Sequence, residues 1–204
     1  MRQFTFRCHI VFLAIVMVLG VKGQEWSFVK EEDGISLYQR IEPGTSLKAY
    51  KGVAVLNEKL EDVSDLLVDF EAYNKWVDDI SGMKTLKETG DSVFIYYLEY
   101  DLPWPVTNRD IIAEATITDN KDKSIRKIYS RPLPDYTREN EGVVRIRNFW
   151  QLWTITKKGT SQVELVLEGF TDPSGNIPDW IYNMVIMQTP YDVISGVRKE
   201  LSEH

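Results

Sequence analysis

The chain has 204 residues, of which 43% are apolar and 27% charged, and its net charge is −7. An acidic chain is repelled by nucleic-acid phosphates and by anionic membrane surfaces. It has one cysteine, Cys8, and two histidines, His9 and His204; beyond residue 23 there is no cysteine and the only histidine is the last residue, which argues against a Ser-His-Asp or Cys-His nucleophile and a Cys/His zinc site and leaves no disulfide.

Residues 1–23 read as a signal peptide. Arg2 and Arg7 form a basic start, residues 10–21 an apolar run, and Gly23 a small residue suited to cleavage before Gln24. Twelve apolar residues make a helix of about 18 Å, short of the roughly 30 Å of a hydrocarbon core. Cleavage would leave 181 of the 204 residues, and losing Arg2, Arg7 and Lys22 would take the net charge from −7 to −10. The expected location is therefore secreted or periplasmic. With no linker or repeat beyond residue 24, one domain over residues 24–204 is expected, large enough to bury about 70% of its unfolded surface.

Two β-type runs, residues 35–41 and 47–56, flank the turn signal Glu42-Pro43-Gly44. Asn57 is placed to cap a helix in which Leu60, Val63, Leu66, Leu67 and Phe70 recur at spacings of three and four. Residues 71–79 continue as a short helix. Strands then dominate, over residues 83–88, 93–100, 109–118, 124–130, 143–157 and 162–170, with polar turns at 120–122, 139–142 and 157–159. Pro178 opens a final helix of about 24 residues, on which Ile181, Val185, Gln188, Ile194, Val197 and Leu201 share one face. Pro190 should kink it, having no N–H to donate and a ring that clashes with the carbonyl of Ile186.

The middle strands do not alternate as a half-wet sheet should. Residues 93–98 are almost all apolar, and residues 144–154 carry aromatics on both faces. Either both faces are packed, or one lines a cavity for a hydrophobic ligand.

Four stretches carry a family resemblance: Asp33-Gly34-Ile35-Ser36-Leu37-Tyr38; Tyr73-Asn74-Lys75-Trp76; Pro103-Trp104-Pro105-Val106-Thr107-Asn108-Arg109-Asp110; and Gly175-Asn176-Ile177-Pro178-Asp179-Trp180-Ile181-Tyr182-Asn183. In this order and spacing the chain resembles the START (StAR-related lipid-transfer) domain family over nearly all of residues 26–201. The resemblance implies an α+β helix-grip fold, a curved antiparallel sheet wrapped around a long C-terminal helix, with a tunnel between them for one lipid or sterol-like molecule. It implies binding and transfer without chemistry or cofactor, by a monomer in transient contact with a membrane.

By the same resemblance, the ligand-facing residues would be Phe94, Tyr96 and Leu98; Arg109, Ile111, Ala113 and Ala115; Val144, Ile146, Asn148 and Trp150; and Tyr182, Ile186, Thr189 and Val193 on the last helix. A slip of one residue would turn any of these strands to the opposite face. Sterol-carrying relatives place a buried acid–base pair where this chain has Tyr96 and Ala115, which counts against a sterol. The alternative is a helix-grip enzyme of cyclase or hydrolase type, with Glu99, Asp110 or Tyr96 as acid/base groups. Arg109 has two readings, as a headgroup contact or as a strand anchor paired with Asp110, Glu99 or Asp101. Trp104 reads as a packed turn, residues 131–142 as a gate loop, and residues 172–176 as a turn too short for a calcium site.

Overall fold

The computed structural model describes residues 25–77 and 80–203, and the signal-peptide reading of residues 1–23 lies outside them. Alternation and turn chemistry produce ten strands: β1 (Ser27–Glu32), β2 (Ile35–Ile41), β3 (Lys48–Leu56), β4 (Ile80–Thr89), β5 (Val93–Tyr100), β6 (Arg109–Asp119), β7 (Ile125–Pro132), β8 (Val144–Arg145), β9 (Phe149–Lys157) and β10 (Val163–Thr171). They form one sheet in the order β1-β2-β3-β10-β9-β7-β6-β5-β4, and every neighbouring pair on this path is antiparallel. The two-residue β8 lies off the path, parallel to β6.

Three helices pack on one face: α1 (Leu60–Val68), α2 (Asp179–Val185) and α3 (Thr189–Ser202). This is the helix-grip arrangement expected from the sequence. α1 buries Leu60, Val63 and Leu67. Its cap is Lys59, not Asn57; the Asn57 side chain instead accepts a hydrogen bond from Gln162 at 3.0 Å. Residues Phe70–Lys75 form a 3-10 helix, and the Asp69 side chain accepts from the Ala72 N–H.

Two long elements read as continuous are broken. The expected strand over residues 143–157 divides into β8 and β9, with Arg147 and Asn148 exposed between them. The expected C-terminal helix divides into α2 and α3. Pro190 sits in the first turn of α3, where its missing N–H has no partner to lose. The clash anticipated with Ile186 is relieved by a full break, not a kink.

α3 docks by close backbone approach. Gly52 on β3 leaves room for Ile194 and Pro190, and a Cβ on Gly196 would overlap the Trp76 carbonyl oxygen. Helix propensity alone would make Gly196→Ala stabilising by about 1 kcal/mol. The overlap involves backbone, which cannot swing aside, and such overpacking costs about 1–3 kcal/mol or more. A net destabilisation of about 2 kcal/mol is expected by urea unfolding; a stabilised variant would show that α3 does not dock so closely.

Candidate functional site

Between the sheet and the helices lies a cavity of about 750 Å³. Its floor is the inner face of β3, β9, β7 and β5, seen in Tyr50, Trp153, Ile128, Tyr96, Leu98 and Tyr100. Its far wall is Leu67 of α1, Phe70 and Tyr73 of the 3-10 helix, and Tyr182, Ile186, Thr189 and Val193 from α2, α3 and their junction. One end is bounded by Leu102, Pro103 and Val106 after β5, and by Asn176, Ile177 and Pro178 before α2.

Strand register sets a polar row across this floor. Tyr50 faces Gly169, Gly169 faces Gln151, Gln151 faces Ser130, Ser130 faces Ala115, and Ala115 faces Phe94. Tyr96, opposite Ala113, leans toward Ser130. The small residues are what admit the large ones. A Cβ on Gly169 would strike the Tyr50 ring, so only glycine lets that ring lie across β10.

Burial raises the pKa of five phenols at the cavity, Tyr50, Tyr73, Tyr96, Tyr100 and Tyr182. Tyr50 and Tyr96 are each pushed up to about 12, with Gln151 and Ser130 respectively opposing the shift. All five are neutral at physiological pH and act as uncharged hydrogen-bonding groups. The Tyr73 hydroxyl donates to the Leu67 carbonyl at 3.2 Å, and the Tyr182 hydroxyl accepts from the Thr171 N–H at 3.3 Å. The buried indole N–H of Trp153 closes no hydrogen bond among the described residues. No group of metal ligands occurs among them either.

The residues expected to face a ligand divide. Tyr96, Leu98, Tyr182, Ile186, Thr189 and Val193 line the cavity. Phe94, Ile111, Ala113 and Ala115 share the inner face, by register with one another and by membership of the core, but are covered. Phe94 packs edge-on to Phe70 at 5.7 Å, and the Phe70 ring stacks on Tyr96 at 4.7 Å. Ile146 is buried in the same core and Val144 is half-buried, and neither lines the cavity.

Asn148 and Trp150 are corrected. The break before Phe149 shifts the phase, so that Gln151 and Trp153 turn inward. Asn148 is exposed, and Trp150 lies on the outer face, its indole N–H donating to Glu42 at 2.9 Å and its ring near the Arg40 guanidinium. Arg109 is on the inner face but outside the cavity wall, and it pairs with none of Asp110, Glu99 or Asp101.

The acid/base candidates of the enzyme alternative are also displaced. Glu99 and Asp110 face each other on the outer side of β5 and β6, and only Tyr96 reaches the cavity. Residues 131–142 contribute nothing to the cavity wall. That loop lies on the outer face, held by Arg145 through the carbonyls of Pro134 and Thr137 and by Asn140 donating to the Tyr97 hydroxyl. Trp104 is 92% exposed and is not a packed turn residue. The sequence reading missed Tyr50, Tyr73, Tyr100 and Gln151, and gave Trp150 the place at the cavity that Trp153 takes. Gln151 and Trp153 share a parity in the run over residues 143–157, but the run itself does not say which parity turns inward.

The START domain family model matches residues 16–204. The chain belongs to the START domain family. An uncharacterised protein of Pseudomonas aeruginosa is 30% identical over 185 residues, covering 89% of this chain and 91% of that one. The phosphatidylcholine transfer protein of Bos taurus is 26% identical over 169 residues, covering 80% and 78%. Among solved structures, a STAR-related lipid transfer protein of Xanthomonas axonopodis superposes with a TM-score of 0.81 at 30% identity, covering 87% of this START chain and 98% of that one.

Proposed function

We propose that this START domain holds one lipid in the cavity and carries it between membranes outside the cytoplasm. The observation that carries the reading is the cavity itself, large, mostly apolar, and supplied with neutral hydrogen-bonding groups at Tyr50, Tyr96, Ser130, Gln151 and Trp153. An apolar occupant takes apolar wall away from water and so stabilises the fold. The relatives named for lipid transfer support the same reading, and phosphatidylcholine, the cargo in one relative's name, is the first lipid to test. The extracytoplasmic part rests on the basic and apolar pattern of residues 1–23.

Two exposed tryptophans in the segments that bound the cavity support membrane contact as part of this reading. Trp104 is 92% exposed beside the wall residues Pro103 and Val106, and Trp180 is 68% exposed beside the wall residue Ile181. Met184 and Val185 extend the exposed apolar surface along α2. Indole rings partition into the interfacial layer of a bilayer, and an apolar patch suits an acidic protein that charge cannot hold to an anionic surface.

Transfer of a fluorescent phosphatidylcholine between zwitterionic vesicles tests the reading. The wild-type chain should accelerate it, and a chain with no effect would contradict lipid transfer. The double variant Trp104→Ala/Trp180→Ala should slow transfer about tenfold or more while changing stability by less than about 1 kcal/mol, because both side chains are already in water.

A further inference from the structure

The Asn-Arg-Asp stretch holds a residue for which the cavity alone gives no role. Arg109 opens β6 opposite the cavity residue Tyr100, and only 5% of it is exposed. A guanidinium withdrawn from water ordinarily requires a countercharge. None stands within ion-pair distance of Arg109 among the described residues, and the nearby carboxylates are engaged elsewhere. Asp110 is held by Arg145 at 2.6 Å, Glu99 by the Tyr97 hydroxyl at 2.6 Å, Asp101 by Asn108 at 2.6 Å, and Asp172 by the Ser174 N–H at 2.9 Å.

Arg109 donates instead to neutral carbonyls, from Nη1 to Thr107 and from Nε to Pro173 at 3.3 Å. Its Nη2 makes no hydrogen bond to a described residue and lies toward Gly175, where a Cβ would stand 3.6 Å away. Burial lowers its pKa, as expected of a cation without an anion. The two carbonyls belong to two different loops, and both loops bound the cavity, one through Leu102 and Val106 and the other through Asn176 and Ile177. The same two loops lead to Trp104 and Trp180.

We propose that Arg109 is a phosphate subsite at the mouth of the cavity, taken by the headgroup phosphate of a lipid entering between the two loops. This deepens the lipid-carrier reading and rests on it. A guanidinium binds phosphate through paired, charge-assisted hydrogen bonds that outcompete those to neutral carbonyls. Capture of the phosphate by Nε would release the Pro173 carbonyl and with it the segment leading into α2. Headgroup binding and opening of the mouth are thereby coupled.

The test compares dioleoyl phosphatidylcholine with dioleoylglycerol, which has the same chains and no phosphate. The wild-type chain should bind the phosphate lipid at least about tenfold more tightly, Arg109→Gln should collapse that ratio, and Arg109→Lys should keep part of it. An unchanged ratio in Arg109→Gln overturns the subsite and leaves Arg109 a loop anchor. Binding of neither lipid by the wild type instead overturns the carrier reading. Should Arg109→Gln fail to fold, side-chain NMR of Arg109 in the wild type decides. Its guanidinium signals should move with phosphatidylcholine and not with dioleoylglycerol, and equal spectra overturn the proposal. Signals that move with inorganic phosphate alone would assign the site to the free anion and overturn the headgroup assignment.

Discussion

Asp110→Ala is expected to destabilise the fold by about 3–5 kcal/mol, the cost of leaving a buried partner charge uncompensated. The Asp110 and Arg145 side chains are each 1% exposed and form a two-pronged pair, Nε to Oδ1 at 2.6 Å and Nη2 to Oδ2 at 2.9 Å. Arg145 also donates to Pro134 at 2.6 Å, so the pair ties the outer loop to β6. Removing the carboxylate strands a guanidinium out of water and loosens that loop. For a domain of this size, melting should fall by on the order of 10 °C. Glu114→Ala is the control. It breaks a 2.8 Å pair with Arg131, whose side chain is half-exposed, and should cost less than about 1 kcal/mol. Equal losses in the two variants would show that the Asp110–Arg145 pair is not specially buried.

The second large effect is alkaline. Tyrosines in the unfolded chain titrate near pH 10, whereas burial holds Tyr50 and Tyr96 to about 12. Between those values the unfolded state has released protons that the folded state still holds. Stability therefore falls as pH rises, by up to about 1.4 kcal/mol per pH unit for each such phenol. Over the two units to pH 12, Tyr50 and Tyr96 together should remove about 5 kcal/mol. Tyr73, Tyr100 and Tyr182 are shifted in the same direction and steepen the loss. Urea midpoints from pH 9 to 12 should decline accordingly, and Tyr50→Phe and Tyr96→Phe should each flatten the decline by one group's share. Identical slopes in wild type and variants would mean that these phenols are not buried.

Local pattern was enough for part of the fold. The runs over residues 35–41 and 93–100 have the bounds of β2 and β5, because turn residues mark both ends. β1 escaped notice because all six of its residues are exposed and its charged sequence has no apolar period. The break between β8 and β9 is marked only by the polar pair Arg147-Asn148 followed by the apolar pair Phe149-Trp150, which a single-strand reading of residues 143–157 runs through. The phase of that strand depends on three residues, Ile146 to Asn148, leaving the sheet. Hence Trp153 lines the cavity while Trp150 does not. The tyrosine-rich wall was similarly hidden, because Tyr50 and Tyr73 lie in a strand and a 3-10 helix remote in sequence and come together only at the cavity. The last helix was legible in composition and not in continuity. Pro190 signalled the disturbance but not that α2 would become a separate seven-residue wall of the cavity mouth.

The central claim, that the cavity of this START domain is a lipid site, is tested most directly by native mass spectrometry of the purified chain, followed by extraction and identification of anything bound. A single lipid per chain is expected, released on unfolding and replaceable by added phosphatidylcholine. A chain that carries no adduct, takes up none of a mixed lipid extract and melts at the same temperature with and without lipid would contradict it.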